Sequence, residues 1–169
     1  MQNGGDITDK DLFGQYVEQH GRELTRMCFH LCANRQDAED LYQETWLRAI
    51  RYYRRYNSEK PFKHWLHAIC VNTYKNGFKS SNIKAVDFKT QEDKDRFLNE
   101  VKAPADFSDE YFDLAAAVNA LTNKHRVVIV LKYFSDYTEN NIAEMLKIPV
   151  GTVKSRLYKA RERLKIKLS

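Results

Sequence analysis

The sequence predicts an all-α protein of two small helical domains joined by a flexible linker, the second ending in a helix-turn-helix. Three observations carry this. Apolar residues recur at spacings of three and four along most of the 169 residues, and with only 6 Gly and 3 Pro few turns are encoded. The helical period fails between about Ser80 and Asp109, where Lys84, Lys89, Lys94, Arg96 and Lys102 mix with Asp87, Glu92, Asp93, Asp95, Glu100, Asp106 and Asp109 and Pro104 interrupts. The stretch Tyr137–Ser169 then reads as a short helix, a tight turn and a longer cationic helix. The expected boundaries are 8–80 for the first domain, 81–109 for the linker and 110–169 for the second.

In order, Thr8 is expected to cap a first helix with Leu12, Phe13, Tyr16 and Val17 inside. Gly21 is expected to bend or interrupt it before Leu24, Met27, Cys28, Leu31 and Cys32 resume the pattern. Asn34 and Arg35 read as a turn. A second helix follows with Ala38, Leu41, Tyr42, Thr45, Trp46, Ala49, Ile50 and Tyr53 on its inner side; its first turns are acidic and its last basic, the order a helix dipole favours. Tyr56–Pro61 is a polar loop. Phe62 opens a third helix with Phe62, Trp65, Leu66, Ile69, Cys70 and Thr73 packed. A short helix around Asp93–Val101 falls within the linker, and the second domain continues through Tyr111–Leu121 and Lys124–Phe134, with Val127, Val128, Val130 and Leu131 buried.

The C-terminal stretch carries the strongest local signals. Thr138 caps a helix start with Asn141 three residues on, and Ile142, Ala143 and Leu146 share a face. Pro149 forces the preceding residue out of helical geometry, so a second helix begins near Val150. There Val150, Val153, Leu157, Ala160, Leu164 and Leu168 form one apolar stripe, and Lys154, Arg156, Lys159, Arg161, Arg163, Lys165 and Lys167 are opposed by Glu162 alone. A solvated charge run is the bland explanation, but cap, turn, stripe and one-signed charge coincide here, which favours a helix aimed at a major groove.

Net charge +5 and a pI near 9.0 suit a polyanionic partner. Neither an apolar signal core nor a spanning segment is apparent, which places the chain in the cytoplasm without membrane insertion. Cys28, Cys32 and Cys70 are an odd number for disulfides. Cys28, Cys32, His20 and His30 do not converge convincingly on a metal, and buried thiols on an apolar face explain the cysteines; no metal and no cofactor are expected. Asp37, Glu39, Asp40 and Glu44 come from one helix end, where a partner-facing or dipole-matching surface is favoured over a magnesium site. Aromatic residues interleaved with basic ones (Tyr52, Tyr53, Arg54, Arg55, Tyr56, then Phe62, Trp65 and Tyr74) suit single-stranded nucleic acid, in which rings stack on bases.

DAEDLYQETWLRA (37–49), FKHWLHAICVNTYKN (62–76) and IAEMLKIPVGTVKSRLYKARERLK (142–165) together resemble the signature segments of bacterial RNA polymerase sigma factors of the extracytoplasmic-function (ECF) type. The resemblance spans both domains in the family's order. It implies a promoter-specificity subunit without enzyme activity, whose partners are core RNA polymerase, promoter DNA as duplex and as melted non-template strand, and an anti-sigma factor. By the same resemblance, Asp37, Asp40, Leu41, Gln43, Glu44, Thr45 and Arg48 fall at core-polymerase-binding positions. Tyr56, Asn57, Ser58, Phe62, Trp65, Asn72 and Lys75 fall where the minus-10 element is opened and captured. Thr152, Lys154, Ser155, Arg156, Tyr158 and Lys159 fall where the minus-35 duplex is read. This sequence departs from the family with Asn141 in place of a usual glutamate, Lys147 in place of a frequent glycine, and Asn123-Lys124 at a start that often contains proline. Two rival readings fit the residues less well. A stand-alone helix-turn-helix regulator leaves the segment from Tyr52 to Tyr74 without a task, and a metal-dependent enzyme built on Asp37, Asp40 and Glu44 needs a further ligand from another helix.

Overall fold

The computed structural model describes residues 5–76, 90–92, 95 and 116–168, all of whose regular elements are helical. The first half is built from α1 (Gly5–Leu31), α2 (Arg35–Tyr52), a single 3-10 turn (Tyr53–Arg55) and α3 (Phe62–Lys75). The second half has α4 (Ala116–Asn119), α5 (Asn123–Ile129) running into a wider π turn (Val130–Phe134), α6 (Glu139–Leu146) and α7 (Val150–Leu168). The expected linker and its short helix lie almost wholly outside the described residues.

Local chemistry explains the boundaries. Asn34 is not merely a turn residue: its side-chain oxygen accepts from the Asp37 amide at 2.9 Å, capping α2. Gly21 does not break α1, which runs unbroken from Gly5. Its role is close approach, since a Cβ there would stand 2.8 Å from the Tyr42 hydroxyl of α2. Thr138 caps α6 as expected, its hydroxyl accepting from the Asn141 amide at 3.1 Å. Lys147 then takes a left-handed conformation, φ 55 and ψ 46, and its amide and that of Ile148 close the helix end on Ala143 and Glu144. A lysine thus holds the left-handed position at which helix ends favour glycine.

In the first half α2 packs against both α1 and α3 around Leu24, Met27, Phe29, Leu41, Tyr42, Trp46 and Leu66. In the second, α7 lies across α5 and α6, burying Val153, Leu157 and Ala160 against Val127, Leu131 and Ile142. Val150, expected in that stripe, is 37% exposed at the start of α7, while Val153, one turn on, is fully buried. The halves also touch: α3 meets α5 and α6, and α1 meets α4 and the π turn, so their buried residues form one continuous cluster.

Polar groups stitch that contact. The Tyr137 hydroxyl, before α6, lies 2.6 Å from His67 Nδ1 on α3, both buried. Arg126 of α5 donates to the Leu31 carbonyl at 3.2 Å and to the Tyr74 hydroxyl, while its other nitrogens hold the Val118, Asn119 and Leu121 carbonyls. Tyr74 itself donates to Asn123 Oδ1 at 3.0 Å. Lys60 Nζ and Glu144 Oε1 are 3.1 Å apart, and His30 stacks on Phe134 with centroids at 3.8 Å.

Candidate nucleic-acid interface

The duplex-reading candidates sit on α7. Because Val153, Leu157 and Ala160 turn inward, the helical period sends Lys154, Ser155, Tyr158 and Lys159 outward, and Thr152 and Arg156 flank them half-buried. Tyr158 is 62% exposed, an aromatic ring left in water beside cations. The Pro149 carbonyl takes the Thr152 and Val153 amides at 3.0 and 3.2 Å, fixing the first turn after the left-handed Lys147. A short capped helix, a tight turn and a helix with a cationic outer face can enter a major groove end-on.

The second constellation joins the loop 56–61 to α3. Tyr56 donates to the Lys60 carbonyl, Asn57 Oδ1 accepts from the Glu59 amide at 3.0 Å, and the Lys60 amide returns to the Asn57 carbonyl, so the loop is a self-bonded turn. Behind it stands an aromatic cluster in which Tyr56 lies 5.2 Å from Trp65 and Phe62 stacks on Tyr16 at 3.6 Å. Phe62 is 6% exposed and belongs to the core; as it stands it offers no face to a base. Tyr56, Trp65 and Asn72 are half-buried, and Asn57, Ser58 and Lys75 are exposed. Burial, and then the hydrogen-bonded Tyr53 hydroxyl, push Tyr16 up to about 12, and burial also raises Tyr56. Tyr16 and Tyr56 thus carry no negative charge that would repel a phosphate backbone. The loop and α3 form one wall of a cavity of about 510 Å³; Asn141, Glu144, Met145 and Lys147 of the second half form the other.

The candidates on α2 divide. Asp37 is exposed, and Asp40, Gln43 and Arg48 are half-buried at the surface. Leu41 and Thr45 are fully buried, with Thr45 donating to the Leu41 carbonyl at 2.7 Å. Glu44 is 2% exposed, one carboxylate oxygen held by Arg48 Nε at 2.6 Å and the other without a partner. Leu41, Glu44 and Thr45 thus shape the helix from inside, and the face open to a partner is Asp37, Asp40, Gln43 and Arg48.

Among the described residues no three His, Cys, Asp or Glu side chains gather as a metal would require. Cys28 faces Cys70 with sulfurs 3.8 Å apart, while His30 Nδ1 bonds the Arg26 carbonyl at 2.7 Å. Burial pushes the Cys28 and Cys32 thiols up, the behaviour of inert core thiols. No local pattern marks His67, Tyr137 and Arg126 as a group, since they join helices far apart in the chain.

Two family models match: sigma-70 region 2 over residues 16–82 and sigma-70 region 4 over residues 111–164. The ECF RNA polymerase sigma-E factor of Haemophilus influenzae is 30% identical over 173 residues, covering 95% of this chain and 89% of its own. The chain belongs to the ECF sigma factors. The ECF sigma factor SigW of Bacillus subtilis is 27% identical over 180 residues, covering 95% of this chain and 90% of its own. Among solved structures, the sigma factor RpoE of Bartonella quintana, in complex with the anti-sigma factor NepR, superimposes with TM-score 0.68 at 23% identity, over 92% of this chain and 96% of that one. CnrH in complex with the cytosolic domain of CnrY gives TM-score 0.67 at 23% identity, over 94% and 88%. At that identity the two structures speak for the fold of this sigma factor, while the family models and the sequence relatives carry its function in transcription initiation.

Proposed function

We propose that this sigma factor divides promoter recognition between its halves. Asp37, Asp40, Gln43 and Arg48 on α2 dock on core RNA polymerase. The loop around Tyr56, Asn57 and Ser58, with Trp65, Asn72 and Lys75 of α3, holds the unpaired minus-10 strand. Lys154, Ser155, Tyr158 and Lys159, flanked by Thr152 and Arg156, read the minus-35 duplex. The observation that carries this reading is the pairing of a neutral aromatic cluster on one half with an outward cationic helix on the other. Unpaired bases need ring faces and a pocket, whereas paired DNA needs donors on a helix. Unstacking costs a few kcal/mol per step, which strand capture has to recover.

In this reading the chain acts in the cytoplasm and does no chemistry itself, because bond formation belongs to the polymerase. No described helix is long and apolar enough to cross a membrane. The anti-sigma factor in the RpoE structure supports a similar inhibitor for this chain. Run-off transcription with purified core enzyme tests the assignment. Asp40→Arg is expected to abolish core binding with the helical spectrum unchanged, and Lys154→Ala to weaken only promoters that need the upstream element. Normal core binding by Asp40→Arg would refute the docking face.

A further inference from the structure

Two cavities along the contact between the halves differ in their charge. His64, Ala68 and Asn72 recur every fourth residue on α3 and form a stripe that faces Asn141, Glu144 and Met145 across the larger one, where Glu144 already pairs with Lys60 at 3.1 Å. Further along α3 lies a smaller cavity of about 150 Å³. It is lined by Lys75 of α3, Asn123, Lys124 and Val127 of α5, Leu146 of α6 and Arg156 of α7. Three cations thus come from three helices, and no carboxylate lines the space with them. Lys60, Lys63 and Lys165 each have a glutamate within 3.3 Å; among the described residues Lys75, Lys124 and Arg156 have none.

Asn123 adds to the imbalance. Its Oδ1 accepts from the Tyr74 hydroxyl at 3.0 Å and from Arg126 at 3.4 Å, so the end left over is the amide nitrogen with its two N–H groups. The polar lining is therefore all donors, set against the buried side chains of Val127 and Leu146. A cleft with charge of one sign and low-dielectric walls concentrates the field and draws in counter-ions. His125, next in sequence to Lys124, feels the same field. Burial first, then Arg163, Lys124, Lys159 and Arg156, lower it from its usual value, and its Nδ1 has no partner.

We infer that this cavity binds a phosphate-class anion, held by Lys75 from the first half and by Asn123, Lys124 and Arg156 from the second. The guanidinium can meet two phosphate oxygens at once, while the two ammonium groups act as point charges. The cavity is smaller than the roughly 300 Å³ at which pockets for whole drug-sized ligands begin, so it takes a phosphoryl or diphosphoryl group and not the ring of a nucleotide. Because its ligands come from both halves, the anion binds while they touch and by mass action steadies their contact. The site stands on its lining and needs none of the promoter roles given to Lys75 and Arg156.

Isothermal titration of the full-length chain with inorganic diphosphate, at fixed ionic strength in chloride, tests it. Expected is saturable binding, weakened at least about five-fold by Lys75→Ala and by Lys124→Ala. Lys165→Ala, which removes the same charge near the far end of α7, should bind as the wild type does. All three lysines are exposed, so the variants keep their fold, which circular dichroism checks. No saturable binding, or binding that Lys75→Ala leaves intact, overturns the site. An equal loss in Lys165→Ala reduces the effect to net charge and overturns it too. Short duplex DNA titrated in parallel separates a free phosphate compound from the phosphate of a DNA backbone. Lys124→Ala should leave duplex affinity unchanged; a loss matching that for diphosphate overturns the free anion as the occupant.

Discussion

Acidification should part the two halves, turning the closed form in which they touch into an open one, and His67 sets the scale. Its imidazole is fully buried between α3 and Tyr137. Burial first, then the Lys63 ammonium on its own helix, and after it the repulsion a second imidazolium would meet from His20 on α1 and His64, lower it from 6.5 to about 3. The other charge nearby is Glu23 of α1, already paired with Lys63. The neutral ring fits: Nδ1 faces the Tyr137 hydroxyl, whose own ionisation burial and then Glu23 push upward. Nε2 has no partner, so a second N–H would gain no acceptor. Because the closed form holds the lower value, its stability is fully present above pH 6.5 and is lost as pH falls through 6.5, the loss continuing down to about 3. With 6.5 taken for a separated, hydrated ring, moving from pH 7 to pH 5 costs the closed form about 2 kcal/mol, roughly 25-fold in the closed-to-open ratio.

Amide exchange over α3 and α6, followed by mass spectrometry and corrected for intrinsic rates, reads that ratio even when the open form is rare. Protection should fall by about that factor in the wild type. His67→Gln, which keeps a hydrogen-bonding partner for Tyr137 but cannot titrate, should show a much flatter response. A residual slope is expected from His30, also lowered by burial and stacked across the same contact on Phe134. Equal acid responses in His67→Gln and wild type, or protection that rises on acidification, would refute this account.

Four further outcomes follow from particular contacts. Gly21→Ala should destabilise by about 1 kcal/mol or more despite alanine's better helix propensity, because its Cβ meets the buried Tyr42 hydroxyl, and Tyr42→Phe should rescue it in a thermal-melting double-mutant cycle. Gly14→Ala meets nothing within 4 Å in the same helix and should instead raise the melting temperature, by up to about 1 kcal/mol of stability. Lys147→Gly should stabilise by about 1 kcal/mol in chemical denaturation, since it relieves a side chain at φ 55. Glu44→Arg should lose folded protein, by about 3 to 5 kcal/mol, as it places a second guanidinium beside Arg48 in a site only 2% exposed, whereas Asp40→Arg should stay folded; circular dichroism separates them.

Element by element, the sequence was legible wherever the information is local. Spacing of three and four found α2, α3, α6 and α7, and Thr138 marked a real cap, because helix periodicity and capping involve residues within one turn of each other. Periodicity cannot say which of several aromatics goes inside. Phe62 and Trp65 share one face of α3, yet Phe62 is seated on Tyr16 while Trp65 keeps part of its ring at the cavity. Glu44 shows the same limit. Its charge suggested a surface role, but its place on α2 faces inward and Arg48 pairs it there. Gly21 looked like a helix breaker because its partner, Tyr42, arrives from another helix. The contact between halves was invisible, since Arg126 reaches Leu31 across 95 positions and no local pattern encodes that distance.

The contact between the halves treats the two surfaces proposed to meet DNA unequally. Lys154, Ser155, Tyr158 and Lys159 remain exposed on α7, while the α3 stripe lies under α6. Duplex DNA outnumbers melted DNA wherever it is found, and phosphate contacts through lysine and arginine give only sequence-independent affinity. A free chain with its cationic helix open can therefore touch DNA without committing to it. Exposed aromatics and an open pocket would carry a different hazard, an apolar patch available to any single strand or protein. With His64, Ala68 and Asn72 facing α6 across the cavity, the surface proposed to hold a melted strand stays covered for as long as the halves remain in contact.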